Sequence, residues 1–227
     1  MKITPHSNHF IVLLLVFLVA CETPSTSIES IAKAAYYQDP ALLATAWQLP
    51  VAQKYKERFE YQVNGMFCGP ATLTNFFHSV GRLSFTQENL FERSTVSYWK
   101  ARFLGLTLDE LAALIRENAP LKVTVLRDLT LSQFREEIRQ ANDLHRRYLI
   151  NFNRHPLFGV SIGHHSPIGG YLEDRDLVFV LDVLDDYRPY LVPTARLYEA
   201  MDTVDTETGK KRGLLRIMIL ETDKPTP

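Results

Sequence analysis

Cysteine is scarce in this sequence, since the 227 residues contain only Cys21 and Cys68. Two cysteines cannot build a disulfide framework or a Cys-rich zinc site. The adjacent His164 and His165 make a poor chelate, because neighbouring residues of a strand point to opposite faces. Basic residues are not in excess either, with 25 Lys plus Arg against 26 Asp plus Glu. We therefore expect neither a protein metal site nor a nucleic-acid partner.

Long apolar runs are also missing, and the longest one lies near the N-terminus. Residues 10–20, "FIVLLLVFLVA", follow Lys2 and number eleven. This is shorter than the roughly 20 residues of a membrane-spanning helix and is typical of the hydrophobic part of a signal peptide. The run ends in Leu18-Val19-Ala20-Cys21, which resembles the lipobox of bacterial lipoproteins, whose Cys is lipidated and becomes the new N-terminus. The alternative is a plain signal peptide with an incidental Cys21.

These features predict three parts of the chain. Residues 1–20 form a lipoprotein signal peptide, and residues 21–34 form the lipidated Cys21 and a tether whose first part, "ETPSTSIES", is polar and rich in Ser and Thr. Residues 35–227 form one catalytic domain. The predicted location is a bacterial membrane, with the domain anchored by lipid on the periplasmic or another extracytoplasmic face. A homodimer is left open.

Asp182 is unusual because it lies inside the apolar run "LVFVLDVL". A buried carboxylate without a partner is costly, so a polar partner is expected nearby. Residues 162–184 read as a β-hairpin that turns near residue 173, at the charged stretch "EDR". That register sets His164 opposite Asp182 on the same face of the sheet. An Asp that orients a His is typical of a nucleophilic triad.

Cys68 is the candidate nucleophile. It precedes Pro70 at the start of an amphipathic segment that ends near Gly81, which predicts a helix of about three turns with Cys68 at its N-terminus. The helix dipole and a neighbouring imidazolium would favour the thiolate there. Gln62 could supply a side-chain amide to an oxyanion beside the Cys68 N–H. Taken singly, each residue is more often an ordinary core or loop residue.

The remaining pattern predicts an α+β domain. Capping boxes at Thr107 and Thr130 open the helices "LDELAALIREN" and "LSQFREEIRQAN". Strand-like runs are "KVTVL", "RYLINFN", the hairpin and "LLRIMIL", with a short helix "TARLYEAM" before the last. A Cys on a helix and a His on a strand require the active site to lie between helices and sheet.

Four segments together resemble one known family. "FCGPATL", "GHHSPIGGY", "LDV" and "LYEAMDTVDTETGKKRG" look like the catalytic domain of phytochelatin synthases, from about Tyr61 to Leu220. The order Cys, His, Asp and the spacing of His164 and Asp182 match that family. The resemblance implies a papain-like fold, in which a helical part with the nucleophile packs on an antiparallel sheet carrying His and Asp.

The resemblance also implies a reaction. Cys68 would attack the Cys–Gly bond of glutathione, release glycine and hold γ-Glu-Cys as a thioester. His164 would act as base and then acid, Asp182 would orient it, and Gln62 would line the oxyanion hole. No cofactor is implied, and a heavy metal would enter as a glutathione thiolate substrate.

The same matching implies a substrate-binding set. Asp205 and Arg212 fall on positions that bind the polar ends of the γ-glutamyl group, and Gly163 belongs to the same set. The alternative for Asp205 and Arg212 is a solvated turn.

The chain departs from the family after the triad Asp. Phytochelatin synthases typically continue Asp-Val-Ala/Ser-Arg-aromatic-Lys-Tyr-Pro, whereas this chain reads "LDVLDDYRPY". Asp185 and Tyr187 therefore replace two cations, although Arg188 could substitute. A second glutathione is an anion, so we expect hydrolysis to dominate over transfer. Two other functions remain in competition, a cysteine peptidase acting on another small peptide and a non-catalytic lipoprotein that binds thiols or metals.

Overall fold

A computed structural model describes residues 28–220. The predicted signal peptide and Cys21 lie outside these residues. Within residues 28–220, no helix is both long and apolar enough to cross a membrane.

Eight α-helices are found in residues 28–220, and short local signals explain most of their starts. Proline occupies the first turn of the first two, and Thr107 and Thr130 form the predicted capping boxes with Glu110 and Gln133. The helices are α1 (Pro40–Ala46), α2 (Pro50–Lys56), α3 (Cys68–Ser79), α4 (Tyr98–Leu104), α5 (Leu108–Asn118), α6 (Leu131–Arg139), α7 (His155–Phe158) and α8 (Thr194–Met201).

Six strands form one antiparallel sheet in the order β1-β6-β2-β3-β4-β5. The strands are β1 (Lys122–Leu126), β2 (Arg146–Asn153), β3 (Gly163–Leu172), β4 (Leu177–Val180), β5 (Tyr190–Pro193) and β6 (Gly213–Met218). The predicted strands are all present, and β5 was not predicted. β3 lies in the interior of the sheet, and His164, near its start, pairs with Phe152 of β2.

The predicted register of the hairpin is wrong. The turn occupies Glu173–Asp176, and Tyr171 pairs with Val178. The pairing shifts between Ile168 and Gly170, where Gly170 has φ of 154° and an added Cβ would lie 2.6 Å from the Asn142 side chain. The sequence motif "EDR" marks the turn but does not reveal this irregularity. Asp182 therefore follows the end of β4 and has no ladder partner on β3.

Both faces of the sheet are covered by helices. Alternate residues of β2 point to the two faces, and Leu149 packs with Leu73 of α3 and Leu114 of α5. Ile150 packs on the other face with Phe134 of α6 and Leu197 of α8. This arrangement fixes α3 firmly against the sheet, and with it the start of the helix that carries Cys68.

The packed region begins before residue 35. Ile31, which falls in the predicted tether, is only 3% exposed and belongs to the core on the α8 side of the sheet. Arg196 of α8 also donates to the backbone carbonyl of Glu29. Residues 29–34 are thus part of the folded unit, because an apolar side chain in that stretch finds a buried place.

Candidate active site

Cys68 is the first residue of α3, as the sequence predicts, and the residue is 9% exposed. Burial alone raises the pKa of the thiol. The hydrogen bond and charge of His164, a backbone hydrogen bond from His165 and the charge of Arg154 outweigh burial and lower the pKa below its ordinary value. These partners therefore stabilise the thiolate, which is the form in which a cysteine acts as a nucleophile.

His164 contacts both Cys68 and Asp182. Its Nε2 lies 3.0 Å from Oδ1 of Asp182, and the two residues are 3% and 0% exposed. Burial alone lowers the pKa of His164, but the charge and hydrogen bond of Asp182, together with the hydrogen bond to Cys68, raise it above its ordinary value. Because Nε2 is taken by Asp182, Nδ1 is the ring nitrogen left to exchange a proton with the thiol. The structure thus brings together the three residues that the sequence singled out.

A fourth residue at this site, Arg154, was missed by sequence reasoning. Its Nη2 donates to Oδ1 and Oδ2 of Asp182 at 2.9 and 2.8 Å, and the Leu184 N–H donates to Oδ1 at 2.9 Å. Burial alone raises the pKa of Asp182, but His164, Arg154 and the Leu184 N–H together lower it. The apolar surroundings of Asp182 indicated a buried carboxylate, and such a group needs more hydrogen-bond donors than a single histidine supplies.

Gln62 lines the same cleft, but a hydrogen bond already engages its side-chain amide. Its Nε2 donates to the Asn64 carbonyl at 2.8 Å, and its Oε1 is buried without a partner among residues 28–220. The backbone N–H of Gln62 donates to the carbonyl of Val183, next to Asp182, at 2.8 Å. One amide hydrogen remains, so Gln62 keeps the capacity to donate to an oxyanion.

Asp205 and Arg212 lie together in the lining of the cleft. Arg212 is 7% exposed, donates from Nη1 to the Val204 carbonyl at 2.6 Å, and has Nη2 4.0 Å from Asp205 Oδ1. An added Cβ on Gly163 would lie 2.7 Å from Arg212 Nη2. The side chains of Arg212 and Asp205 are 7% and 16% exposed, which disfavours the alternative of a solvated turn. The cleft that contains the nucleophile therefore also presents one cation and one anion.

The cleft has a volume of about 730 Å³. His165 also borders it, but burial lowers the pKa of His165 to about 4 and its Nε2 donates to the Leu106 carbonyl at 2.8 Å. His165 is accordingly a neutral structural residue near pH 7. In the part of the chain that the structure describes, no group of three or more His, Cys, Asp or Glu residues is placed to hold a metal ion.

Comparison with known proteins gives a consistent answer. The family model described as "Phytochelatin synthase" matches residues 27–214. The chain is 33% identical over 174 residues to "Glutathione gamma-glutamylcysteinyltransferase 3" of Lotus japonicus, covering 72% of this chain and 36% of that protein. It is 30% identical over 112 residues to "Glutathione gamma-glutamylcysteinyltransferase" of Schizosaccharomyces pombe, covering 48% of this chain and 27% of that protein.

The solved structures support the fold. A C39-like peptidase from Bacillus anthracis superposes with a TM-score of 0.50 at 16% sequence identity, over 71% of this chain and 94% of that one. The predicted α+β fold of the papain-like kind is thus confirmed. The curated relatives are much longer than this chain, which spans only 36% and 38% of the first two.

Proposed function

The chain belongs to the phytochelatin synthase family, and on that premise we propose that it cleaves glutathione with Cys68, releasing glycine through a γ-Glu-Cys thioester. The observation that carries this proposal is that Cys68 contacts His164, which Asp182 holds from behind, in the cleft that Arg212 and Asp205 also line. A thiolate needs a proton donor for its leaving group, and His164 is placed to supply one.

The first half-reaction forms the thioester. The Cys68 thiolate attacks the carbonyl carbon of the Cys–Gly bond, forming a C–S bond, while the Cys68 N–H and the free amide hydrogen of Gln62 face the developing oxyanion. The C–N bond then breaks as the His164 imidazolium gives its proton to the glycine nitrogen. Glycine leaves with a neutral amine, and His164 is left neutral.

The second half-reaction releases the acyl group. Neutral His164 takes a proton from water, whose oxygen forms a C–O bond with the thioester carbon, and the C–S bond breaks. The products are γ-Glu-Cys and the thiolate–imidazolium pair with which the cycle began. If the amine of a second glutathione replaces water, the same steps form a longer peptide.

The γ-glutamyl group of glutathione would account for the presence of Arg212 and Asp205 in the cleft lining. This group carries one carboxylate and one ammonium, and Arg212 and Asp205 offer the complementary charges. A cleft of about 730 Å³ is within the usual range for a small-molecule site. We therefore assign Arg212 to the substrate carboxylate, Asp205 to the ammonium, and Gly163 to the close approach that leaves room for Arg212.

We propose that water is the main acceptor. Asp185 and Arg188 pair with each other at 3.3 Å and are 62% and 67% exposed in their side chains, so Arg188 is not turned into the cleft. Asp186 lines the cleft, and the ring of the adjacent Tyr187 lies over the Arg154 guanidinium. The entrance therefore offers a carboxylate rather than a free cation to an anionic acceptor.

The decisive experiment is mass spectrometry of products after incubation of the mature protein with glutathione. We expect glycine and γ-Glu-Cys in equal amounts, a γ-Glu-Cys acyl adduct on Cys68, and neither from Cys68→Ala. A His145→Ala variant controls for loss of a histidine distant from the cleft. Absence of any acyl adduct with glutathione would contradict the proposal.

The same assay separates the competing functions. A panel of small peptides that includes cell-wall fragments and lacks a γ-glutamyl group tests for another peptidase specificity. Turnover of such a peptide but not of glutathione would assign the cleft to that substrate. No turnover of any peptide, with stoichiometric binding of thiol compounds, would favour the non-catalytic alternative.

We propose that no resident cofactor takes part and that heavy metals enter as glutathione thiolates. The steps above need only protein groups and water. Glycine release should therefore persist after dialysis against a metal chelator. Loss of activity on dialysis, restored by one metal at stoichiometric amounts, would show that a bound metal is required.

We also propose that the mature protein is held at an extracytoplasmic membrane face through a lipid on Cys21. A diacylglyceryl group with an N-acyl chain exceeds the two signals that stable anchoring needs. Wild-type protein should sediment with membranes and Cys21→Ser should not. A soluble wild-type protein without lipid at its N-terminus would contradict the assignment. Light scattering of Cys21→Ser would test the homodimer.

A further inference from the structure

Arg154 is a buried cation whose only acidic partner within residues 28–220 is Asp182. It is 2% exposed, and its Nη2 reaches both oxygens of that carboxylate. Arg154 comes directly after β2 in the chain, whereas Asp182 follows the end of β4. The ion pair therefore links the ends of two strands that lie on either side of β3. An isolated buried charge is strongly unfavourable, and each member of the pair therefore depends on the other.

The ring of Tyr187 packs against the Arg154 guanidinium. The Arg154 guanidinium carbon lies 3.7 Å from the centre of the Tyr187 ring, and the Phe158 ring meets the Tyr187 ring at 4.6 Å. The loop that carries Tyr187 is itself fixed, because Gln38 Nε2 and the Tyr37 hydroxyl donate to the Tyr187 carbonyl at 2.7 and 3.2 Å. A cation on an aromatic face that is shielded from water is stabilised.

The proposed reaction gives this arrangement a purpose. His164 is positively charged before thioester formation and neutral after it has protonated glycine. In the neutral state His164 no longer offsets the charge of Asp182, which is 0% exposed. A permanent cation beside Asp182 removes this problem, because a guanidinium keeps its charge throughout the cycle.

We propose that Arg154 and Tyr187 are positioning residues of the triad. Arg154 keeps Asp182 ionised and fixed in both states of His164, and Tyr187 holds Arg154 in place. This inference rests on the proposed function for the proton cycle of His164. Neither residue needs to touch the substrate for this role.

The charge of Arg154 has a measurable consequence. The charged groups that face His164 are Asp182, Arg154 and Cys68, and Arg154 opposes the imidazolium. Without Arg154, loss of the His164 proton would leave Asp182 as a buried anion without a cation. The pKa at which the His164–Asp182 pair loses its proton should therefore rise in Arg154→Met and stay near the wild-type value in Arg154→Lys.

Alkylation of Cys68 by iodoacetamide across pH tests this without any substrate. We expect the alkaline step of the profile, where His164 loses its proton, to move to higher pH in Arg154→Met only. In the glutathione assay, kcat should fall about 10- to 100-fold in Arg154→Met with little change in KM, the scale expected for a misplaced catalytic group. An alkaline step at the wild-type pH in a folded Arg154→Met protein would overturn the proposal.

Tyr187 supplies a matched pair of variants. Tyr187→Phe keeps the ring and should retain kcat within about 2-fold, whereas Tyr187→Leu should lower it between about 2- and 30-fold, the range that a cation–π contact represents. Equal losses in both variants would show that the ring is not what matters. If Arg154→Met does not fold, Arg154→Lys and this pair decide.

These experiments distinguish failure of the positioning role from failure of the proposed glutathione-cleaving function. If the wild-type protein does not cleave glutathione but the alkaline step shifts as expected, the proposed substrate is wrong and the positioning role stands. If glutathione is cleaved and the step does not move, only the positioning role fails.

Discussion

The floor of the cleft and the loop of residues 184–188 beside it, here called the wall, differ in how their charged groups are paired. On the floor, Cys68, His164 and Asp182 are 9%, 3% and 0% exposed, and each has a partner. On the wall, Asp185 and Arg188 pair in the solvent, and Asp186 makes no ion pair with any of the described residues. Buried partners are energetically coupled, whereas exposed pairs contribute about 0–1 kcal/mol.

This difference separates two properties of the proposed enzyme. The floor decides whether a thioester forms at all, because its groups act as one unit. The wall decides which molecule receives the acyl group, and its residues can change without unfolding the protein. Substitutions on the floor should therefore cause large losses of rate, and substitutions on the wall should cause small shifts between products.

The largest effect should come from the nucleophile and its base. We expect Cys68→Ala and His164→Ala each to abolish glycine release, since losses within one catalytic unit are not additive and either one removes the mechanism. The double variant should be no worse than either single variant. Glycine release by Cys68→Ala at a rate near that of wild type would show that the residues of the floor do not catalyse the reaction.

The next effect is the reactivity of Cys68 at mildly acidic pH. Burial raises the pKa of the Cys68 thiol, but His164 more than offsets this and the pKa is lowered, while the pKa of His164 is raised. Both shifts favour the thiolate–imidazolium pair. At pH 6 an ordinary thiol of pKa about 8.5 is scarcely ionised, so Cys68 should be alkylated on the order of 10²-fold faster than glutathione. Equal rates would show that the pair does not form.

Asp182→Asn should cause a smaller loss of kcat, at most about 10⁴-fold. An amide can still accept from His164, but it does not stabilise the imidazolium. It also leaves Arg154 buried without an anion, so the free energy of unfolding should fall by about 3–5 kcal/mol, measured by denaturant titration. Asp182→Asn/Arg154→Met should recover part of that stability. No recovery would mean that the two residues are not coupled.

Arg154 also shows what the sequence could and could not predict. The helix at Cys68, the capping boxes and five of the strands follow from local patterns, and the apolar surroundings of Asp182 indicated a partner. The partner's identity depends on the pairing of β2 with β3, which places Phe152 opposite His164 and carries Arg154 towards Asp182. No local pattern encodes that pairing or the irregularity at Gly170, and so His164 was found through a wrong register.

Arg212→Lys should raise KM about 10-fold with little change in kcat. Lysine keeps the charge but cannot donate to the Val204 carbonyl and to a carboxylate with the same planar geometry. Lys211→Met is the matched control, because Lys211 pairs with Asp202 at 2.6 Å outside the cleft lining. Steady-state kinetics with glutathione measure both variants. A loss confined to kcat would place Arg212 among the catalytic groups instead.

The smallest effect should come from the wall. Asp186 lines the cleft, whereas Asp185 does not and already pairs with Arg188. Asp186→Lys replaces a carboxylate with a cation where an anionic second glutathione would enter, so the fraction of acyl groups transferred to glutathione should rise about 3- to 10-fold, corresponding to about 0.7–1.4 kcal/mol. Asp185→Lys makes the same change of charge in the solvent and should raise that fraction less.

The transferred fraction is measured by chromatography, as the amount of (γ-Glu-Cys)n-Gly products relative to free γ-Glu-Cys. The glutathione concentration is held fixed, with or without cadmium. Equal increases from both substitutions would mean that long-range attraction, and not the cleft wall, sets the acceptor.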